Sequence, residues 1–287
     1  MPLAGGSSAL VAEIRPADHL DAWTRAREIV DETERWPVVS WTSRRWEDVV
    51  AGDPFDRMQF VHADRGSEIV GDTSFAGLLA RAEALDYEAV LEAQAAQEYK
   101  KKFLDSDVEE AMTDVGERWG TAPPESEVRR AAGAAADPKL GIERYLLEWE
   151  LAQGPPPPNA LRIMGYAQQG DPQPPPDEPA FIVLLPTART WEVYAHMEGL
   201  WNYPSDRLIK AARRWHERFG AECVEIHPGY LTQLRVQRRP RDIWEAWELA
   251  REHWLLAPDT LMLPGTRLRD YARALVEAQY WELKSAP

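Results

Sequence analysis

Apolar positions along this chain recur with two periods, and the changes between them divide it into parts. The first part reads strand, helix, strand. Ala9 to Ile14 is a short apolar-rich run. Ala22, Trp23, Ala26, Ile29 and Val30 then share one arc of a helix over Pro16 to Thr33. The run from Trp36 to Trp41 opens a strand at a proline. The middle part keeps helical spacing throughout. Phe75, Leu78, Leu79 and Ala82 form one face. Val108, Ala111, Met112, Val115 and Trp119 form a second, behind an N-cap at Asp107. Ile142, Tyr145, Leu146 and Trp149 form a third. The outer faces of these helices are acidic.

The last part alternates both periods. Phe181 to Leu185 reads as a buried strand and Trp191 to His196 as another. Ser205 is placed to cap a helix that turns Leu208, Ala212, Trp215 and Phe219 inward and stops at Gly220. Ala221 to Ile226 and Leu231 to Val236 flank His227-Pro228-Gly229-Tyr230 as a hairpin. Asp242 caps a helix with Ile243, Ala246, Trp247, Ala250 and Trp254 inside, and a final helix uses Leu268, Tyr271, Ala272 and Leu275. Short strands with helices packed on them predict an α+β fold: a small mixed or antiparallel sheet, with an acidic helical insertion. The boundaries follow. Residues 1–73 form a segment that packs with the C-terminal part, 74–153 the acidic helices, 154–179 a proline-rich linker and 180–287 an α+β domain. The linker holds Pro155 to Pro158 and Pro174 to Pro176, which favour a stiff extended chain.

Charge sharpens this division. The 287 residues carry a formal net charge of −15, and residues 51–150 hold 22 acidic against 11 basic side chains. Residues 181–287 are nearly balanced, with 14 acidic and 15 basic. Such acidity argues against direct binding to nucleic acid. The N-terminus has neither the basic start nor the apolar run of a secretory signal, and no stretch spans a bilayer. Cytoplasmic residence without a membrane is therefore the expectation.

The run Trp215-His216-Glu217-Arg218-Phe219-Gly220-Ala221-Glu222 resembles the bacterial domain of unknown function 4253 family. So does the order around it. Leu184-Leu185-Pro186 and Trp201-Asn202 precede it. Leu234-Arg235-Val236, Arg239-Pro240, Ala250-Arg251-Glu252-His253 and Pro258-Asp259 follow. The resemblance is best over 181–260, with an echo at Ala22-Trp23 and Trp36-Pro37-Val38-Val39. Three features depart from the pattern. Phe219 stands in place of Tyr, Leu256-Ala257 precedes Pro258-Asp259 where a cysteine is expected nearby, and the chain ends Tyr280-Trp281-Glu282-Leu283 rather than Trp-Trp-Asp. The resemblance implies a fold and no activity.

Candidate chemistry is sparse. There is no HExxH, no glycine-rich phosphate loop and no Gly-x-Ser-x-Gly. His196-Met197-Glu198 lacks the downstream cysteine pair of a zinc deaminase. Asp105-Ser106-Asp107 lacks the glycine of a calcium loop, since Glu110 stands at that position. Cys223 is alone and reads as a buried thiol. No metal and no cofactor is expected. His216 and His253, each beside a tryptophan and a glutamate (Glu217 and Glu252), are the candidates for acid–base work, the packing alternative being a histidine at the core margin. Trp201, Asn202, Arg218, Arg238 and Arg239 are candidate binding residues, as are the acids Glu109, Glu110 and Asp114. The arginine loop Arg235 to Arg241 is also placed to meet the acidic helices. Two readings stay open. One is a non-enzymatic bacterial protein that binds a basic protein, as an inhibitor or immunity-type partner does. The other is an enzyme with a site around Trp201, His216, Arg218 and His253.

Overall fold

The structure is a computed structural model, described at residues 3, 7–41, 72, 74–98, 105–157, 180–197, 199–200, 203–227, 231–261 and 267–285. Trp201, Asn202, the hairpin turn at 228–230 and the proline-rich stretch from 158 to 179 lie outside the described residues.

The chain begins with β1 (Leu10–Ile14), α1 (His19–Glu28), α2 (Val30–Thr33) and β2 (Trp36–Trp41). The acidic helices follow as α3 (Phe75–Ala84), α4 (Tyr87–Glu98), α5 (Asp105–Trp119), α6 (Glu125–Ala134) and α7 (Pro138–Ala152). The last part holds β3 (Ala180–Leu185), α8 (Ser205–Phe219), β4 (Glu222–His227), β5 (Leu231–Arg235), α9 (Ile243–Leu256), α10 (Leu268–Glu277) and β6 (Tyr280–Lys284). The fold is α+β around a six-stranded mixed sheet in the order β1-β3-β2-β4-β5-β6. The β2–β4 pair is parallel and the other pairs are antiparallel. Because β2 stands between β3 and β4, the N-terminal segment supplies a central strand to a sheet made mostly by the C-terminal part. Among the described residues no helix is long and apolar enough to cross a membrane.

A bulge between Cys223 and Glu225 breaks the β4–β5 register. Such a bulge leaves ladder groups in need of other partners. The Cys223 carbonyl accepts from the indole N–H of Trp36 at 2.9 Å and of Trp23 at 3.2 Å, while its N–H donates to Thr190 Oγ1 at 2.6 Å. Helix α1, β2 and β4 are thereby joined at one peptide group. The Cys223 thiol is fully buried, and burial pushes its pKa up to about 12.

On the C-terminal side, Trp215 and Phe219 of α8, His253 of α9 and Trp281 of β6 meet edge to face, with ring centroids 4.8–6.4 Å apart. Helices α5, α6 and α7 hold a second core of Val108, Ala111, Val115, Val128, Ala132, Ile142 and Leu146.

Several local expectations need correction. Thr190–Ala195 is a 3-10 turn, not a strand, and its buried run Glu192 to Ala195 lacks the alternation a half-buried strand requires. Helix α8 starts after Pro204, whose fixed φ provides the extended N-cap; Ser205 is the first helical residue and makes no cap bond. Helix α5 begins at Asp105, which puts Asp107 inside the first turn. By contrast Asp242 caps α9 through the N–H groups of Trp244 and Glu245, both at 2.9 Å. Gly220 closes α8 at φ 62°, where a Cβ would also lie 2.9 Å from Gln237.

Trp215 is 0% and Trp247 3% exposed, so either change to Ala should destabilise by ~3–5 kcal/mol in chemical denaturation, the usual cost of deleting a buried large aromatic. A loss below ~1 kcal/mol would mean that the site collapses around the deletion. Residues 181–287 expressed alone should show no cooperative melt, because β2 is missing from between β3 and β4.

Candidate functional site

The acid–base candidates come together only in part. Helix α8 turns Trp215 inward and leaves Arg218 at the margin, facing Glu252 on α9. The Trp215 indole donates to Glu252 Oε2 at 2.9 Å, and Arg218 Nη1 donates to Oε1 at 2.7 Å. Tyr87 Oη reaches the same carboxylate from α4 at 3.4 Å. His253 Nδ1 lies 2.9 Å from Tyr271 Oη, and its ring is fully buried. Burial, helped by the charge on Arg218, lowers the imidazole to about 3 and keeps it neutral. His216 is separate, with Nδ1 3.0 Å from the Ala221 carbonyl and its ring 5.1 Å from Trp191. Glu252 is therefore saturated with donors and His253 is sealed in the core, the arrangement of a packing node that ties α4, α8 and α9.

The other candidates scatter. Arg238 donates to the Glu217 carbonyl at 2.8 Å and Arg239 is exposed. Arg241 bonds Glu245 at 3.0 Å, and Arg235 lies over the Trp23 ring at 5.8 Å. The bonds of this loop thus go to residues of α1, α8 and α9 rather than to the acidic helices.

Arg213 and Arg214 of α8 pair with Glu83 of α3 and Glu88 of α4, while the arginines that meet α5 and α7 sit on and just before α10. Arg269 is 0% exposed and enclosed by three carboxylates, Asp114 at 2.5 Å, Glu143 at 2.5 Å and Glu150 at 2.8 Å. Arg273 adds a second bond to Glu150 at 2.5 Å. Arg118 of α5 bridges back to Asp270 at 2.6 Å and to Asp114 at 3.0 Å. Burial alone would raise the Asp114 carboxyl, but the Arg269 and Arg118 guanidiniums outweigh it and hold Asp114 below its ordinary value. Asp114 is 5% exposed, so it does not belong to the acidic outer face expected for it. Of the three acids, Glu109 is exposed, and Glu110 is 66% exposed while bonded to Arg267 at 2.7 Å. Sequence reading missed this network because Arg267, Arg269 and Arg273 look like an ordinary charged helix face; the signal was their spacing on a helix that follows an acidic region.

A second buried acid was also missed. Glu225 is 0% exposed, and neither carboxylate oxygen has a hydrogen-bond partner among the described residues. Directly opposite on β5 is Gln233, itself 1% exposed with an unpartnered Oε1, and opposite that on β6 is Glu282, which pairs with Lys284 at 2.9 Å. Paired positions share one face of the sheet, so the three polar groups form a row across β4, β5 and β6. Burial, and then the charge of Glu282, pushes the Glu225 carboxyl well above its ordinary value of 4.5. The shift favours the neutral, protonated form of the group. Among the described residues no group of three or more His, Cys, Asp or Glu side chains is placed to hold a metal ion.

A carboxyl whose folded pKa is raised contributes stability that is fully present below 4.5 and is lost as pH climbs above it. Glu225→Gln should therefore melt higher than the native chain at pH 7, by ~2–4 °C for ~1 kcal/mol. The gap should narrow as pH falls toward 4.5. A gap independent of pH between 4 and 8 would show that the Glu225 carboxyl keeps its ordinary pKa in the folded state.

No curated protein matches this chain, and no solved structure does. The model of one family, described as Domain of unknown function (DUF4253), matches residues 181–284, from inside β3 to the end of β6. It covers β3 to β6 and α8 to α10, and it excludes β1, β2 and the acidic helices. Residues 181–284 of this chain are a DUF4253 domain.

Proposed function

We propose that this protein is a non-enzymatic protein-binding protein that offers its acidic helices to a basic protein, in the manner of an inhibitor or immunity-type partner. The supporting observation is the charge left at the surface once the arginines of α10 have taken their share. Residues 105–157 hold twelve acidic and five basic side chains. Asp114, Glu143 and Glu150 are engaged with Arg269; Glu110, Glu125 and Glu148 pair at the surface with Arg267, Arg129 and Arg144 yet keep 50–66% of their side chains exposed, and Glu109 is exposed too. The same helices already hold α10 through carboxylate–guanidinium bonds, which is the chemistry a basic partner would use. Complementary charge of this kind mainly speeds encounter. The alternative of an enzyme acting through His216, Arg218, Glu252 and His253 draws no support from a carboxylate filled with donors and an imidazole closed to solvent.

The test uses the full chain as bait at low salt, with mass spectrometry of what it retains, followed by association kinetics with the recovered partner. Changing Glu109, Glu110, Glu125 and Glu148 together to Gln should slow association ~10-fold, and raising the salt to 0.5 M should do the same to the native chain. Asp114 is left intact, because removing it would take one of the three carboxylates from the buried Arg269. A partner whose association rate ignores both changes would refute the reading and leave the acidity to solubility.

A further inference from the structure

A cleft of about 270 Å³ opens between α3 and α8, beside the 3-10 turn at Thr190–Ala195. Its walls differ in character. Leu79 of α3, Ile209 of α8 and the half-buried Trp191 indole give an apolar part. Arg189, Lys210 and Arg213 bring three cations against two acids, Glu83 and Glu192. In a chain of net charge −15 this is a local positive excess.

The cations are not equally committed. Arg213 is occupied by Glu83 and by Glu217. Arg189 gives one N–H to Glu192 at 3.1 Å and keeps 66% of its side chain exposed. Glu192 is already held by the Thr187 hydroxyl at 2.5 Å. Lys210 Nζ donates to the Glu83 carbonyl at 3.2 Å, and no carboxylate of the described residues pairs with it. An ammonium has three donors, so Lys210 has capacity for an acceptor from outside the chain, and so has the rest of the Arg189 fork. The Glu83 carboxylate on Arg213 already illustrates the group this rim accepts.

We propose that the cleft binds a small aromatic monocarboxylate, with its carboxylate on Lys210 and Arg189 and its ring against Leu79, Ile209 and Trp191. The volume lies just below the usual range of ligand pockets, ~300–1,000 Å³, which suits a single ring rather than a nucleotide. An apolar wall with a few convergent polar groups is the usual composition of such sites. Neither the acidic outer surface nor a basic protein partner enters this argument, so the cleft stands or falls independently of them.

Isothermal titration of the full chain at low salt tests it, with benzoate as probe, benzamide as its neutral isostere and inorganic phosphate as a ringless anion. Benzoate should bind, and benzamide should bind ~10-fold more weakly or not at all, since a charge-assisted bond is lost. Lys210→Met should weaken benzoate ~10-fold without shifting the melting temperature. Ala80→Phe, which fills the cleft from the exposed side of α3, should abolish binding of both aromatic probes. Failure of benzoate to bind overturns the proposal. So does equal binding of benzamide, or tighter binding of phosphate that Ala80→Phe leaves unchanged.

Discussion

A guanidinium cannot shed its charge inside a protein, so an arginine with no exposed surface must be enclosed by carboxylates. Arg269 sets that requirement here, and the relation between helices α5 to α7 and the rest of the molecule depends on it. Asp114 comes from α5 and Glu143 and Glu150 from α7, so satisfying one side chain of α10 positions two helices of the unit at once. Removing one member of such a buried set typically costs ~3–5 kcal/mol, because the other charges remain without partners. The three-helix core contributes cohesion within the unit; Leu140 and Leu147 of α7 pack into the core of the sheet, and the bonds to α10 are ionic. That polarity resembles an interface between partners more than the interior of a single core.

The sheet imposes a second constraint. Residues 181–284 contribute β3 to β6, yet β2 is inserted between β3 and β4 and β1 lies outside β3. The N-terminal segment is joined further by the Trp23 and Trp36 indoles on the Cys223 carbonyl and by Arg27 on Glu222 at 2.7 Å. The acidic helices thus leave the sheet after its central strand and the chain returns at β3, so the insertion sits beside a domain assembled from both flanks. Helix α3 then closes one side of the cleft on α8, through Arg81 to Asp206 at 3.1 Å and Glu83 to Arg213.

Much of this was legible because local patterns agree with the fold. The apolar face of α8, the Asp242 cap, the Gly220 stop and the hairpin of β4 and β5 all follow from nearest neighbours in sequence. The α+β class and the position of the family domain were legible for the same reason. What escaped depends on distant partners. Glu150 alternates with Trp149 and Leu151 like any surface acid, and only the approach of Arg269, 119 residues later, makes it a core residue. Glu225 looks like a polar position on a half-exposed strand, but both faces of that strand are covered. Strand β6 was unassigned because Tyr280 to Lys284 is short and follows a helix directly, and its pairing with β5 is what defines it. The cleft is invisible in sequence, since its two walls are more than 100 residues apart.

The central claim is that buried ion pairs, more than the apolar contact of Leu140 and Leu147 with the core of the sheet, make helices α5 to α7 and the sheet open as one unit. Native-state hydrogen exchange measures this directly, by comparing the amides of Val115 and Leu146 in the helical core with those of Val224 and Leu234 in the sheet. The account predicts one common opening free energy in the native chain. In Arg269→Met the helical amides should exchange at least ~10-fold faster than the sheet amides, as loss of a buried charge partner would cause. Helical amides that open independently of the sheet in the native chain, or that keep pace with it in Arg269→Met, would contradict the account.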